Sequence, residues 1–435
     1  MLHSPRMLLV EVRPRQYHDS IVLMVASARM SALPGVDAAM AAMATPLNVD
    51  LLRETGLWSD DLAGAGDTDL VLAARGTDPA AALQAAERAL TERAPVASGG
   101  EAAAPRTVRT AARALPGANV AVVSVPGEHA AWACWDALAQ DLNVFCFSDN
   151  VTVPDEVLLK DEALRRGLLM MGPDCGTAIL DGVGFGFSNA VPRGRIGLVG
   201  ASGTGIQQFA CLLAHQGVGI SHAIGVGGRD LSPEVGGRMA REAVRRLDAD
   251  PDTDLIVVIS KPATAELSAR KPLVKAMLGP GVDLTAIALE VGGGRLPADP
   301  PLAAWPGRVD GLFSGGTLRD EAALIWAGDP RFAAVDYGDD RFTRGRPHPM
   351  IDNTLRLEAI RRSEGLVYLD VVLGRGAHPD PAAELAPALG GRPAVVVLVG
   401  VEGDPQGLAR QRAGFEAAGA AVFLSNARAA RAVRG

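Results

Sequence analysis

The sequence predicts an α/β protein of consecutive doubly wound parallel-sheet domains, preceded by a small N-terminal α/β unit. Three observations carry that expectation. From about residue 119 onward, short apolar strands alternate with helical stretches, the pattern of a parallel sheet covered on both faces. The 435 residues are 48% hydrophobic and only 4% aromatic, so large cores rich in Ala, Gly and Val can form, in about three domains. Glycine-bearing turns recur where strands should end, which is the side on which such sheets bind ligands.

In chain order, the first unit is expected over residues 1–95. Ser20–Ala26 reads as a buried strand, followed by a helix to Pro34-Gly35 and a poor strand at Ala38–Met43. Asn48 is expected to cap a helix that ends near Gly56, with a further strand at Asp69–Ala74 and an amphipathic helix from Asp78 to Arg93. Residues 96–106 have linker composition. A domain at 107–190 follows, with strands Asn119–Val125 and Val144–Phe147, a helix from Asp155 to Arg166, and Leu168–Met171 leading into Gly172-Pro-Asp-Cys-Gly176.

A domain at 191–335 should contain strand 218–226, helix 233–247, strand Leu255–Ile259, helix 264–277, strand 283–290 and helix 317–326. The last domain, 345–435, lies beyond the Pro/Arg-rich connector Arg341–Met350. It should hold a helix from Asp352 to Arg362, strands at Leu366–Val372, Ala394–Gly400 and Ala421–Leu424, and a helix from Gly407 to Ala417. Its strand ends, Gly374–His378 and Val401–Asp404, are either a second ligand site or ordinary loops.

Charge and cysteines exclude several classes. A net charge of −8 with arginines scattered among acids gives no basic stripe for nucleic acid. No leader-like apolar core opens the chain and no run approaches the roughly 20 apolar residues of a membrane helix, so a cytoplasmic protein without membrane contact is expected. Cys134, Cys146, Cys175 and Cys211 lie far apart, without metal-ligand or disulfide-frame spacing.

The stretch with most chemical content is Arg195–Ala210, an apolar strand, a glycine-rich turn and a helix. Gly200, Gly203 and Gly205 bracket Ala201, Ser202 and Thr204, which allows positive φ and N–H groups turned to one point at a helix start. The turn is neither a Walker A loop nor a G-x-G-x-x-G fingerprint, so it reads either as an anion site or as plain βα punctuation. Asp174 and Cys175, Gly227 and Gly228, Lys261, and Ser314-Gly315-Gly316-Thr317 also occupy strand ends and are expected to converge with it on one crevice.

These residues carry a resemblance. Residues 107–325 resemble the α-subunit of succinyl-CoA ligase through Met171-Gly-Pro-Asp-Cys-Gly, Gly194-Arg-Ile-Gly-Leu-Val, Ser202-Gly-Thr204 and Ile224-Gly-Val-Gly-Gly. The whole chain, including Tyr17–Met24, Met43–Asn48, Phe313–Leu318 and Arg346-Pro-His-Pro-Met-Ile-Asp352, resembles the FdrA family. The resemblance implies Rossmann or flavodoxin-like layers of succinyl-CoA ligase type, partner subunits in an oligomer, and a role in purine-ureide (allantoin) nitrogen catabolism. It includes both acyl-CoA synthetases and a subunit of oxamate carbamoyltransferase.

Two departures from the ligase pattern direct the expectation. The ligase's phosphohistidine place reads Val309–Thr317 here, without histidine, and the strand end of its orienting glutamate reads Ser260-Lys261-Pro262; the remaining histidines lie elsewhere in the sequence. The glycine-rich CoA loop is replaced by Tyr17–Met24, which has no glycine. The expected function is therefore a carbamoyltransferase subunit. Carbamoyl phosphate or phosphate would be its substrate, CoA is disfavoured, no metal is implied, and Lys261 would stabilise charge in a water-poor site. An acyl-CoA ligase and a non-catalytic scaffold are the alternatives.

Overall fold

In the computed structural model the residues described are 6–16, 18, 20–91, 105–263, 265–343 and 346–435. The chain divides between positions 104 and 105 into two compact units. The first contains β1 (Met7–Arg13), α1 (Ser20–Ser31), β2 (Val36–Met43), α2 (Pro46–Glu54), β3 (Leu70–Gly76) and α3 (Pro79–Thr91). β3 lies between β1 and β2 and is antiparallel to both, so β1-α1-β2 is a split βαβ unit.

Here the expected strand at Ser20–Ala26 is instead the first half of α1. Leu23, Ala26 and Met30 are buried while Met24 and Val25 are exposed, a helical period rather than the alternation of a strand. β1 is one of the two edge strands and was not among the expected elements; its first three residues are exposed. Thr45, not Asn48, caps α2: its Oγ1 accepts the Asn48 N–H at 3.4 Å, and the Asn48 amide donates to the Met43 carbonyl at 2.8 Å. Of the expected linker, residues 96–104 lie outside the described residues, as do Tyr17, Asp19, Glu92, Arg93, Thr264, Arg344 and Gly345 of the quoted stretches.

The second unit opens with α4 (Val108–Ala114), β4 (Val120–Val123), α5 (Gly127–Leu138), β5 (Asn143–Cys146), α6 (Val153–Arg166) and β6 (Met170–Met171), a three-stranded parallel sheet. A hairpin of β7 (Thr177–Leu180) and β8 (Val183–Gly186) follows. Then come β9 (Arg193–Gly200), α7 (Gly203–His215), β10 (Ile220–Gly225), α8 (Arg238–Ala249), β11 (Leu255–Ser260), β12 (Leu273–Met277) and α9 (Leu284–Gly292). Their six-stranded sheet has the order β12-β11-β9-β10-β7-β8, with β9 to β12 parallel.

Two expected elements exchange type in this sheet. The helix at 264–277 gives way to β12, an edge strand paired with β11, and the strand at 283–290 is α9. Asp283 starts that helix by accepting the Ala286 N–H at 2.6 Å, which outweighs the alternating apolar residues that follow. The third sheet is built from β13 (Val309–Phe313), α10 (Gly316–Trp326), β14 (Phe332–Asp336), α11 (Asp340–Thr343), α12 (Thr354–Arg362), β15 (Leu366–Val372), α13 (Pro381–Leu389), β16 (Ala394–Val399), α14 (Leu408–Ala417), β17 (Ala421–Phe423) and α15 (Asn426–Arg434).

All five of its strands are parallel, in the order β14-β13-β15-β16-β17. That is the flavodoxin order 2-1-3-4-5. β13, α10 and β14 thus begin the C-terminal sheet rather than close the middle one. Strand order reverses beside β9 in one sheet and beside β13 in the other, so each layer has a switch point, where open α/β sheets bind their ligands. α7 is buried along nearly its whole length, with apolar clusters on two sides. Among the described residues no helix is long and apolar enough to cross a membrane.

Candidate functional site

The two switch points meet at one cleft. β9 ends at Gly200, and Ser202 caps α7 by accepting the Gly205 N–H at 2.9 Å. None of Gly200, Gly203 and Gly205 has the positive φ expected from the sequence. Close approach is the reason for at least two of them. A Cβ on Gly200 would run into Ile206, and one on Gly205 would lie 2.6 Å from the capping hydroxyl. Opposite, β13 ends at Phe313 and α10 starts after Gly315, which offers no side-chain cap. A Cβ on Gly315 would collide with Thr204, and the Ser202 and Thr317 hydroxyls are hydrogen-bonded to each other. The first turns of α7 and α10 therefore touch.

Acidic and basic groups gather beneath α10. Asp370 in β15 accepts the Ser314 N–H at 2.6 Å and its hydroxyl at 2.9 Å. Arg356 of α12, 2% exposed, donates to the Asp370 carbonyl at 2.6 Å and its carboxylate at 3.3 Å. Burial pushes the Asp370 carboxyl up and Arg356 opposes that push. Asp336, at the end of β14, accepts the Gly338 N–H at 2.9 Å. Its other oxygen lies 2.7 Å from the place a Cβ on Gly316 would take, so it stands at the start of α10. Burial is the first cause that raises its carboxyl to about 6.

The cleft is a cavity of about 910 Å³. Of the expected residues, Ala201, Ser202, Gly203, Thr204, Asp174, Gly228, Lys261, Ser314, Gly315, Gly316 and Thr317 line it. Gly200, Gly205, Cys175 and Gly227 do not. Gly227, at φ +87°, lets the corner after β10 rest on Pro173, and the buried Cys175 thiol bonds to the Thr177 carbonyl at 3.5 Å. Burial pushes that thiol up to about 12, which suits packing and not nucleophilic work. Asp174 is pushed up to about 7 by desolvation, then by Asp340 and Asp149, although its exposed surface in the open cleft argues for a smaller shift.

Lys261 stands at the rim rather than in the water-poor site expected of it. Its side chain is 60% exposed and its ammonium lies 2.8 Å from Asp320 of α10. Water and this partner both spend its charge, so Lys261 is not placed to meet charge developing in a dry cleft.

The sequence reading also set aside a histidine that belongs here. His348, between Pro347 and Pro349, lines the cavity with its ring against Phe187, centroids 5.2 Å apart. Its Nδ1 accepts the Met350 N–H at 3.2 Å, so the neutral ring carries its proton on Nε2. Burial, with Arg356 adding to it, lowers its pKa to about 4. Asp336 and the Arg356–Asp370 pair were missed as well. No local pattern marks them, because they reach the cleft from separate strands and helices. Behind the cleft floor the fully buried Lys160 donates to Glu156 at 2.7 Å, Asp230 at 2.8 Å and the Val226 carbonyl at 2.9 Å, anchoring the corner after β10.

Three families match parts of the chain: "AllF, heavy metal-associated domain" at residues 7–106, "CoA binding domain" at 192–285 and "CoA-ligase" at 312–434. Residues 7–106 contain no cysteine, and no group of three or more His, Cys, Asp and Glu among the described residues is arranged to hold a metal ion. The uncharacterized protein YahF of Escherichia coli (strain K12) is 37% identical over 440 residues, covering 86% of this chain and 85% of that protein. The succinate–CoA ligase [ADP-forming] subunit alpha of Aquifex aeolicus (strain VF5) is 32% identical over 151 residues, 33% of this chain and 48% of that subunit. A solved dinucleotide-forming acetyl-coenzyme A synthetase 1 of Ca. Korarchaeum cryptofilum covers 72% of this chain, and is itself covered to 81%, at 16% identity and a TM-score of 0.29, too low to equate the two folds.

These matches overturn the carbamoyltransferase expectation. That expectation leaned on a CoA loop missing at Tyr17–Met24, but the CoA-binding match lies at 192–285 and contains the Gly200–Gly205 turn.

Proposed function

Because the chain belongs to the family of the Escherichia coli protein YahF, and CoA-binding and CoA-ligase families match two of the three sheets whose strand ends line its cleft, we propose that it is the CoA-handling subunit of an acyl-CoA ligase. The observation that carries this reading is the meeting of α7, from the CoA-binding match, with α10, from the ligase match, at Ser202 and Thr317. Within the family the FdrA group is the proposed narrower placement, on the motifs quoted above.

In this reading the acyl group passes between the CoA sulfur and an oxygen nucleophile. The oxygen attacks the thioester carbonyl carbon, a C–O bond forms, the C–S bond breaks, and the sulfur leaves as thiolate and takes up a proton. Negative charge on the carbonyl oxygen is met by the N–H groups opening α10 and by the Nε2–H of the neutral His348. No expected phosphoryl acceptor stands at the end of β13, and His348 presents a protonated nitrogen. Nucleotide-driven activation is therefore assigned to a partner subunit.

The test is calorimetric titration with CoA, followed by thiol release from acetyl-CoA and succinyl-CoA with phosphate or arsenate as the oxygen nucleophile. CoA binding with nucleophile-dependent thiol release is expected. A folded chain that does not bind CoA would sink the reading.

A further inference from the structure

Two polar atoms in the wall of the cleft are buried without partners. Thr177, at the start of β7, is 1% exposed and Gln207, in the first turns of α7, is 2% exposed. Both residues line the cavity, and neither Thr177 Oγ1 nor Gln207 Oε1 has a hydrogen bond. Leaving such atoms unpaired is costly, so a ligand that pairs them gains accordingly.

The orientation of the Gln207 amide is fixed by its neighbours. Its Nε2 donates to Asn189 Oδ1 at 3.0 Å. Asn189 cannot turn over, because its own Nδ2 donates to the Leu373 carbonyl at 2.9 Å and to Asp404 at 2.8 Å. Gln207 therefore presents Oε1, a pure acceptor. Thr177 Oγ1 lies 3.2 Å from the place a Cβ on Gly203 would take, so it stands beside the start of α7. The first N–H groups of that helix have no partner within it, apart from that of Gly205, which Ser202 takes.

The recess thus combines several donors with one acceptor that accepts only. An anion without a proton would set its lone pairs against those of Gln207 Oε1. The cleft also carries five aspartates, Asp149, Asp174, Asp336, Asp339 and Asp340, against three basic side chains, Arg346, Arg229, which is paired with Glu156, and Lys261, which is paired with Asp320. That balance favours a neutral group with its own donor and acceptor.

We propose that Thr177, Gln207 and the first turn of α7 form a subsite for a secondary amide of the ligand. The amide N–H donates to Gln207 Oε1, while its carbonyl accepts from the Thr177 hydroxyl and the helix start. This rests on the CoA reading, under which the amide is one of the two in the pantetheine arm.

The experiment titrates the full chain with CoA, pantetheine and ADP, the last carrying no amide, and repeats this for Thr177→Val and Thr177→Ser. Thr177→Val should weaken CoA and pantetheine about tenfold, leave ADP unchanged and not lower stability, since the hydroxyl has no partner to lose. Thr177→Ser should restore binding. If the valine variant does not fold, Thr177→Ala replaces it in the same titrations. Pantetheine and CoA affinities unchanged in the valine or alanine variant would overturn the subsite and leave the recess to a water, while the CoA reading stands. A wild-type chain that binds neither CoA nor pantetheine would overturn both.

Discussion

The start of α7 is finished from within its own turn, whereas the start of α10 is held from outside. Ser202 caps α7 three residues away, and its glycines make room for that cap and for Ile206. Gly315 brings no side chain to α10. The turn before it is fixed by Asp370, 56 positions downstream of Ser314, which Arg356 in turn steadies, and Asp336 comes up from β14. A locally capped helix start depends on one hydroxyl. An externally held one depends on a buried charge network, and its stability must vary with pH.

The largest test of that contrast is Arg356→Met. It leaves the Asp370 carboxylate buried without its cation, and should cost about 3–5 kcal/mol of stability in urea unfolding. A loss below about 1 kcal/mol would mean that the network does not hold α10. Next comes Asp336→Asn. The Asp336 carboxyl is raised to about 6, above its unfolded value, so its ionisation costs nothing below about pH 4 and the full amount above about pH 6. The variant should match the wild type near pH 4 and be more stable by about 3 kcal/mol at pH 7.5. His348, lowered to about 4, works in the opposite sense, its contribution being full above about pH 6.5 and lost as pH falls through 4. It remains in both proteins, so comparing them cancels it.

A smaller effect is expected on the other side. Ser202→Ala removes the cap of α7 and should cost about 1 kcal/mol, independent of pH between 4 and 8. A pH-dependent loss would show that the two helix starts share one network. Lys261→Met is the smallest, within about 0.5 kcal/mol in stability, as for an exposed ion pair. Thiol release by this variant should stay close to wild type. A hundredfold loss would return Lys261 to the chemistry.

The same contrast explains what could be read in the sequence. The β9–α7 turn and the strands from Leu366 onward were legible because strand, turn and cap lie within about ten residues of one another. The apolar run after Asp283 reads as a strand in sequence, and the cap that Asp283 supplies makes it a helix. His348 sits in a proline-rich connector that looks like a spacer, and only the fold brings it against Phe187. Asp370 reads as one polar residue in an apolar strand; its task is visible only once β13 and α12 are beside it. Ser20–Ala26 failed for a related reason. Its apolar residues suit a strand until β1 takes that place in the sheet and leaves them to cover it.

The burial of α7 has a consequence for synthesis. One of its sides packs on the strands around it, but Cys211 belongs to the core of the C-terminal sheet, and Gln208 donates to the carbonyl of Leu424, 216 positions later. A chain leaving the ribosome must therefore carry α7 with an apolar side open until β17 has emerged. At common elongation rates that interval is roughly 10–40 s. Over this time the segment that later floors the cleft is a surface on which a chaperone or a second nascent chain can settle.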